Sequence, residues 1–253
     1  MRCAARLARL REPFQSVASV QRKLRLLIVE DETAIRTGLV DVFLYHGYDV
    51  EFAVDGPTGL AMAQSGRYDL IVLDVMLPGR NGYEVCEAIR EDDREQPIIM
   101  LTAKSGDTDI IQGLALGADD YVTKPFSVAQ LVLRVQAVLR RARVAANNEA
   151  SIHLASGIEI DTRNMNAKIG ANEVRFTRRE IEILQYLSEH SERPVPREEL
   201  LHKVWGYARN LEIETRTVDI HIAKLRRKLE ADAKQPTHLI TVRGGGYRLV
   251  RSA

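Results

Sequence analysis

Four short apolar runs in the first half of the chain each stop at a polar residue, and this repetition constrains the fold more than any other feature. The run 24–29 leads into Glu30 and Asp31, and the run 68–73 into Asp74. The run 97–101 ends at Thr102, and the run 120–123 ends at Lys124. A further strand-like run lies at 48–54, and helical stretches separate all five. One is expected from about Thr33 to Tyr45, ended by Gly47. Another follows Asn81-Gly82 over about 83–91, and a third runs from an Asp107 cap to about 116, ended by Gly117. Pro125 stops the last strand, and Ser127 caps a helix to about 142. Strands alternating with helices make a doubly wound α/β domain, with the flavodoxin-like five-stranded parallel order 2-1-3-4-5. In such a sheet ligands bind at the carboxyl ends of the strands. Glu30, Asp31, Asp74, Thr102 and Lys124 all fall at those ends.

Three carboxylates, a hydroxyl and an ammonium at one sheet edge suit a divalent cation and a phosphoryl group. A carboxylate can attack phosphorus and become an acyl phosphate. Clustered carboxylates repel one another, and a hard cation with oxygen ligands, Mg²⁺, offsets that repulsion. Lysine adds charge to the phosphoryl oxygens, and a hydroxyl donates a hydrogen bond to one. These roles map to Asp74 as acceptor, Glu30 and Asp31 as metal ligands, Lys124 and Thr102.

The second half has another character. Residues 152–177 alternate in short runs broken by Gly157, Asn164, Gly170 and Asn172, which predicts a small antiparallel sheet. Helices are expected at about 178–189, 197–205 and 215–230. Thr177 with Glu180 forms a capping box for the first, and Gly206 ends the second. The chain finishes with 239–243, Gly244-Gly245-Gly246 and 247–250, a hairpin around a Gly-rich turn. Three helices and a hairpin predict an α+β winged helix-turn-helix. In the last helix Val218, Ile222, Leu225 and Leu229 make an apolar stripe. Arg216, Lys224, Arg226, Arg227 and Lys228 outweigh Asp219. With Arg243 and Arg248 on the hairpin, this places a helix in the major groove and a wing beside a minor groove of duplex DNA.

Charge divides the chain in the same way. Residues 1–22 carry five arginines against one glutamate; residues 23–143 carry 13 basic and 19 acidic groups; residues 144–253 carry 18 basic and 15 acidic. The expected organisation is a basic, disordered extension (1–22), an α/β domain (23–143), a short linker (144–151) and a DNA-binding domain (152–253). No run of apolar residues is long enough to span a bilayer. Two cysteines, Cys3 and Cys86, build no disulfide framework. Both points fit a cytoplasmic protein.

The stretches Val29-Glu30-Asp31, Leu73 to Gly82, Leu101-Thr102-Ala103 and Gly117 to Phe126 resemble the receiver domain of two-component response regulators. The resemblance implies phosphorylation of Asp74 from a phosphohistidine on a sensor kinase. It implies Mg²⁺ held by Glu30, Asp31, Asp74 and the backbone carbonyl of Met76. It also implies a cis peptide before Pro125 and a joint reorientation of Thr102 and Tyr121 on phosphorylation. Thr177-Arg178-Arg179-Glu180, Val204-Trp205-Gly206, Arg216-Thr217-Val218-Asp219, His221-Ile222 and Thr241 to Arg248 resemble the C-terminal domain of the OmpR/PhoB family. By that resemblance Lys224 and Arg226 face DNA, with Thr217 and Arg227 on the same helix. Arg243 reaches the minor groove, Arg216 and His221 contact phosphates, and Trp205 belongs to the core. The loop 206–214 is expected to face RNA polymerase.

Relatives pair subunits through the face made by the helix after Asp107, the strand ending at Lys124 and the helix after Ser127. Asp119 with Arg141 and Asp120 with Arg134 keep two of its charge pairs, implying a homodimer. A third pair falls on Ile110 and Gln130 and has lost both charges. Two other readings compete. A phosphatase of the haloacid-dehalogenase type needs an acid two residues after the nucleophile; that position is Met76, which argues against turnover and for a protein that is not an enzyme. A receiver acting only as a docking module would show a degenerate acidic pocket, and this pocket is complete.

Overall fold

The computed structural model describes residues 22–103, 117–142, 150–207 and 215–252. The first body is a five-stranded parallel sheet, with β1 (Arg25–Val29), β2 (Asp49–Ala53), β3 (Leu70–Asp74), β4 (Ile98–Thr102) and β5 (Asp120–Thr123) in the order β2-β1-β3-β4-β5. Each strand starts within two residues of its expected place. The helices are α1 (Thr33–Tyr45), α2 (Gly56–Ser65), α3 (Gly82–Asp92) and α4 (Val128–Ala142). The helix expected after Asp107, with Ile110, lies outside the described residues.

β1, β3 and β4 are apolar on both faces because helices cover both. Leu27, Val29, Ile71, Leu73, Ile98 and Met100 pack in one cluster with Val85, Cys86 and Ile89 of α3. Leu26, Ile28, Leu70, Val72, Ile99 and Leu101 pack in another with Leu39 and Phe43 of α1 and Leu131, Val135 and Val138 of α4. Burial of this kind contributes ~25 cal/mol per Å² of apolar surface removed from water. Asn81 opens α3 with a full capping box: its side chain accepts from the Glu84 N–H at 3.0 Å, and Glu84 accepts from the Asn81 N–H at 3.1 Å. The register β1–β3–β4–β5 aligns Val29 with Leu73, Asp74 with Leu101, and Thr102 with Thr123. The strand ends, and the residues just past them, therefore share one edge.

The second body begins with a four-stranded antiparallel sheet, β6 (Ser151–His153), β7 (Glu159–Asp161), β8 (Asn166–Ile169) and β9 (Asn172–Arg175). Helix α5 (Arg178–Glu189) follows with the expected Thr177/Glu180 capping box. The helix expected over 197–205 is instead one α-turn, α6 (Arg197–Leu200), continued by a π-type turn at Leu201–Trp205 and ended by Gly206 at φ +75°. The wider turn accompanies full burial of Trp205. Helix α7 (Arg216–Leu229) and the hairpin β10 (Leu239–Val242) and β11 (Gly246–Leu249) complete it. The stripe Val218, Ile222, Leu225 and Leu229 joins Trp205, Ile183, Leu187 and Leu249 in one core. Gly246, at φ +106°, has Val195 O only 2.0 Å from where a Cβ would stand. A side chain there would break the pairing of Val195 with Tyr247.

Candidate functional site

The strand ends bring Glu30, Asp74, Thr102 and Lys124 to one place. Glu30 and Thr102 are fully buried and Asp74 nearly so. Lys124 Nζ lies 2.8 Å from Glu30 Oε2 and 3.2 Å from Asp74 Oδ2. Glu30, Asp31 and Asp74 each present a carboxylate oxygen within 4.8 Å of the others. Burial raises the pKa of Glu30 and of Asp74, and Lys124 opposes both shifts. Burial lowers the Lys124 pKa, but Glu30 and Asp74 overcome it and the ammonium stays charged. Asp74 Oδ1 is buried and has no hydrogen-bond partner. An anionic oxygen without a partner at this depth is costly, and a cation or an incoming electrophile would relieve it. The residues present therefore fit a bound divalent cation: hard oxygen donors, one orphaned, beside a fixed ammonium.

Backbone geometry holds Asp74 in place. The N–H groups of Val75 and Met76 lower its pKa, while the Met76 side chain is 56% exposed. The Gly82 N–H donates to Val75 O at 3.0 Å. A Cβ on Gly82 would sit 2.1 Å from Asp74 O, so α3 approaches the strand end as closely as only glycine permits. The Lys124–Pro125 peptide is cis. Tyr121 is turned inward with its hydroxyl buried and without a partner.

The residues expected at DNA are divided. Arg227 and Arg243 are exposed. Arg226 donates to Leu239 O at 2.8 Å and to Thr241 Oγ1 at 2.7 Å, tying α7 to the hairpin. Thr217, His221 and Lys224 are buried instead. Lys224 Nζ pairs with Glu180 at 3.0 Å, and Thr217 Oγ1 has no hydrogen-bond partner. His221 stacks edge-on against Trp205 at 5.3 Å, and burial, reinforced by Lys224 and Arg179, holds its pKa at about 3. The ring is fully buried, so no phosphate can reach it in this conformation. The side chain of Arg216 lies outside the described residues.

Residues 26–136 match the family model described as response regulator receiver domain, and residues 171–249 match that described as transcriptional regulatory protein, C terminal. The alkaline phosphatase synthesis transcriptional regulatory protein PhoP of Bacillus subtilis is 42% identical, over 89% of this chain and 96% of that protein. The sensory transduction protein RegX3 of Mycobacterium tuberculosis is 38% identical, over 88% of this chain and 98% of that one. The solved structure of a RitR mutant, 27% identical, covers 90% of this chain and 100% of that one with a TM-score of 0.68. The chain is a response regulator of the OmpR/PhoB family. The regulator therefore joins a receiver to a transcriptional regulatory domain, in a family of DNA-binding regulators rather than enzymes. Among the described residues no helix is long and apolar enough to cross a membrane.

The residues expected on a dimer face meet the regulator's own second body instead. Asp120 accepts from Arg134 at 2.7 Å and from the Tyr207 hydroxyl. Asp119 pairs with Arg90 at 3.1 Å and lies 3.9 Å from Arg179 of α5. Its carbonyl accepts from Trp205 Nε1 at 3.0 Å. Ile220 of α7 belongs to the same apolar cluster as Tyr121, Ala118 and Cys86. The Arg141 side chain lies outside the described residues, and Gln130 is exposed. Sequence reasoning named Arg179 only within a matching stretch, did not single out Tyr207 or Ile220, and assigned Trp205 to the core alone. A buried tryptophan or arginine has no pattern that distinguishes packing within one body from packing against another.

Proposed function

We propose that Asp74 is the phosphoacceptor of a two-component system and that its phosphorylation promotes dimerisation and binding to promoter DNA. The observation that carries this reading is the buried Asp74 carboxylate, whose Oδ2 pairs with Lys124 while its Oδ1 has no hydrogen-bond partner. That carboxylate oxygen would attack the phosphorus of a phosphohistidine on a sensor histidine kinase. The new O–P bond forms as the P–N bond breaks, and the imidazole leaves as the partner's neutral side chain. Glu30, Asp31, Asp74 and the Met76 carbonyl would hold Mg²⁺, which when bound neutralises charge on the transferring group. Lys124 would then pair with phosphoryl oxygen, and Thr102 would follow with a hydrogen bond. Tyr121, whose hydroxyl lacks a partner, would reorient with Thr102 and shift a pre-existing inactive–active equilibrium. Met76 offers no acidic group to water, which supports a stored acyl phosphate rather than turnover.

On DNA, α7 would enter the major groove through Lys224 and Arg226, with Arg216, Thr217, His221 and Arg227 toward the duplex and Arg243 in the minor groove. Two copies would occupy half-sites about one helical turn apart, roughly 10–11 bp. The loop 206–214, of which 208–214 lie outside the described residues, would face RNA polymerase in the cytoplasm. The test is the solution mass with Mg²⁺, with and without beryllium fluoride, together with DNA affinity. Dimerisation and tighter DNA binding in the wild type, both lost in Asp74→Asn with basal affinity kept, are expected. Equal stimulation of Asp74→Asn would remove Asp74 from the mechanism.

A further inference from the structure

Glu30 and Asp31 share the turn between β1 and α1, and the carbonyls of that turn are not used by the helix that follows. The first backbone bond of α1 runs from the Arg36 N–H to the Glu32 carbonyl at 2.9 Å, so the Glu30 and Asp31 carbonyls lie before its ladder. Glu30 is fully buried, and a buried carbonyl without a donor is costly. The Arg36 side chain supplies the donors. Its Nη1 donates to the Glu30 carbonyl at 3.0 Å and to the Asp31 carbonyl at 2.8 Å, and its Nη2 donates to Thr33 Oγ1 at 3.2 Å. The guanidinium carbon lies 5.4 Å from the centre of the Phe52 ring on β2. The same strand holds the other side of the turn, where the Glu30 N–H donates to the Ala53 carbonyl at 3.1 Å.

The two carboxylates on this turn are held differently. Lys124 bonds both oxygens of Glu30, at 2.8 and 3.0 Å. Asp31 is exposed, and among the described residues nothing bonds its carboxylate. Its direction toward Asp74 therefore follows from its peptide group, which Arg36 fixes. We propose that Arg36 is a positioning residue for the cation site: its forked guanidinium, seated on Phe52, fastens the turn so that Asp31 converges with Glu30 and Asp74 before a cation arrives. In this role it touches neither the cation nor the phosphoryl group. A planar fork suits the task, since it reaches two carbonyls and a hydroxyl at once, whereas a lysine ammonium is a single point of charge. The positive charge of Arg36 repels a cation nearby, so its charge and its positioning act with opposite signs and can be told apart. The proposal rests on the function assigned above only in taking the cation site from it.

The probe is Mn²⁺, its uptake by the full-length protein read by electron paramagnetic resonance with no phosphodonor present. Arg36→Met keeps an apolar stem over Phe52 and removes both the donors and the charge. Mn²⁺ affinity should fall about tenfold or more, the usual effect of losing a group that orients a metal ligand. Arg36→Lys keeps the charge but loses the fork, and it should weaken uptake too; it also stands in if Arg36→Met does not fold. Phosphorylation by acetyl phosphate should need correspondingly more Mg²⁺ in both variants and reach the wild-type rate once Mg²⁺ saturates, a split that general loss of structure would not produce. Uptake by Arg36→Met equal to or tighter than that of the wild type would overturn the positioning role and leave Arg36 as a charge alone. Rates that stay low at saturating Mg²⁺, with Mn²⁺ affinity unchanged, would overturn it as well. No uptake by the wild type would overturn the cation site itself, and with it the reading on which the proposal rests.

Discussion

Glu180 is a fully buried charge of the second body, and neutralising it tests the electrostatic account directly. Its carboxylate is fully buried. One oxygen accepts from the Thr177 N–H at 2.8 Å and from Lys228 at 2.6 Å, and the other pairs with Lys224 at 3.0 Å. Burial alone would favour the neutral acid, but Lys224 and Lys228 reverse it and hold the pKa at about 2. Measured from the ordinary 4.5, at about 1.36 kcal/mol per unit, the ionised form stabilises the fold by roughly 3 kcal/mol. The folded pKa is depressed, so this contribution is complete above pH 4.5 and is lost as pH falls from there through 2. Glu180→Gln keeps the shape of the capping box, removes the charge and leaves two lysines facing a neutral amide. In a urea titration at about pH 7 followed by Trp205 emission, the midpoint should fall by about 1 M or more, given slopes of ~1–3 kcal/mol/M. The gap between variant and wild type should stay constant from about pH 7 down to 4.5 and narrow below. A variant melting with the wild type at neutral pH would refute the reasoning and show that Lys224 and Lys228 find other partners at no cost.

Gly82→Ala should push α3 away from the Asp74 carbonyl, where the new Cβ would stand at 2.1 Å. A stability loss of ~1–3 kcal/mol and slower phosphorylation by a small-molecule donor are expected; unchanged kinetics would show that the close approach does not position Asp74. Acid should destabilise the fold through His221, held neutral with a pKa of about 3 by burial, Lys224 and Arg179, against Glu180, with the Asp119 backbone beside it. The folded pKa is depressed, so this contribution is complete above pH 6.5 and is lost as pH falls below it. At about pH 5.5 the folded-to-unfolded ratio falls about tenfold. The urea midpoint followed by Trp205 emission should fall between about pH 7.5 and about 5.5 in the wild type and move less in His221→Gln; equal falls in both would assign the effect to another group.

The alternation of apolar runs and helices, each run closed by a polar residue, determined the first body and its site without any tertiary information. A parallel sheet buried on both faces needs continuous apolar strands, and its topology delivers their ends to one edge. Glu30, Asp74, Thr102 and Lys124 were therefore legible as a group before any distance was known. The same holds for the stripe of α7 and the capping box at Thr177, because helical periodicity and caps are local. Tertiary structure alone decided what those elements face. The π-type turn at 201–205 follows from burying Trp205, which no local propensity announces. The pairing of Lys224 with Glu180 and of His221 with Trp205 depends on packing within the second body, and the engagement of Asp119 and Asp120 by Trp205 and Tyr207 depends on docking two bodies far apart in the chain. Charge and apolar surface state that a side chain wants a partner; only the packed structure selects which partner it gets.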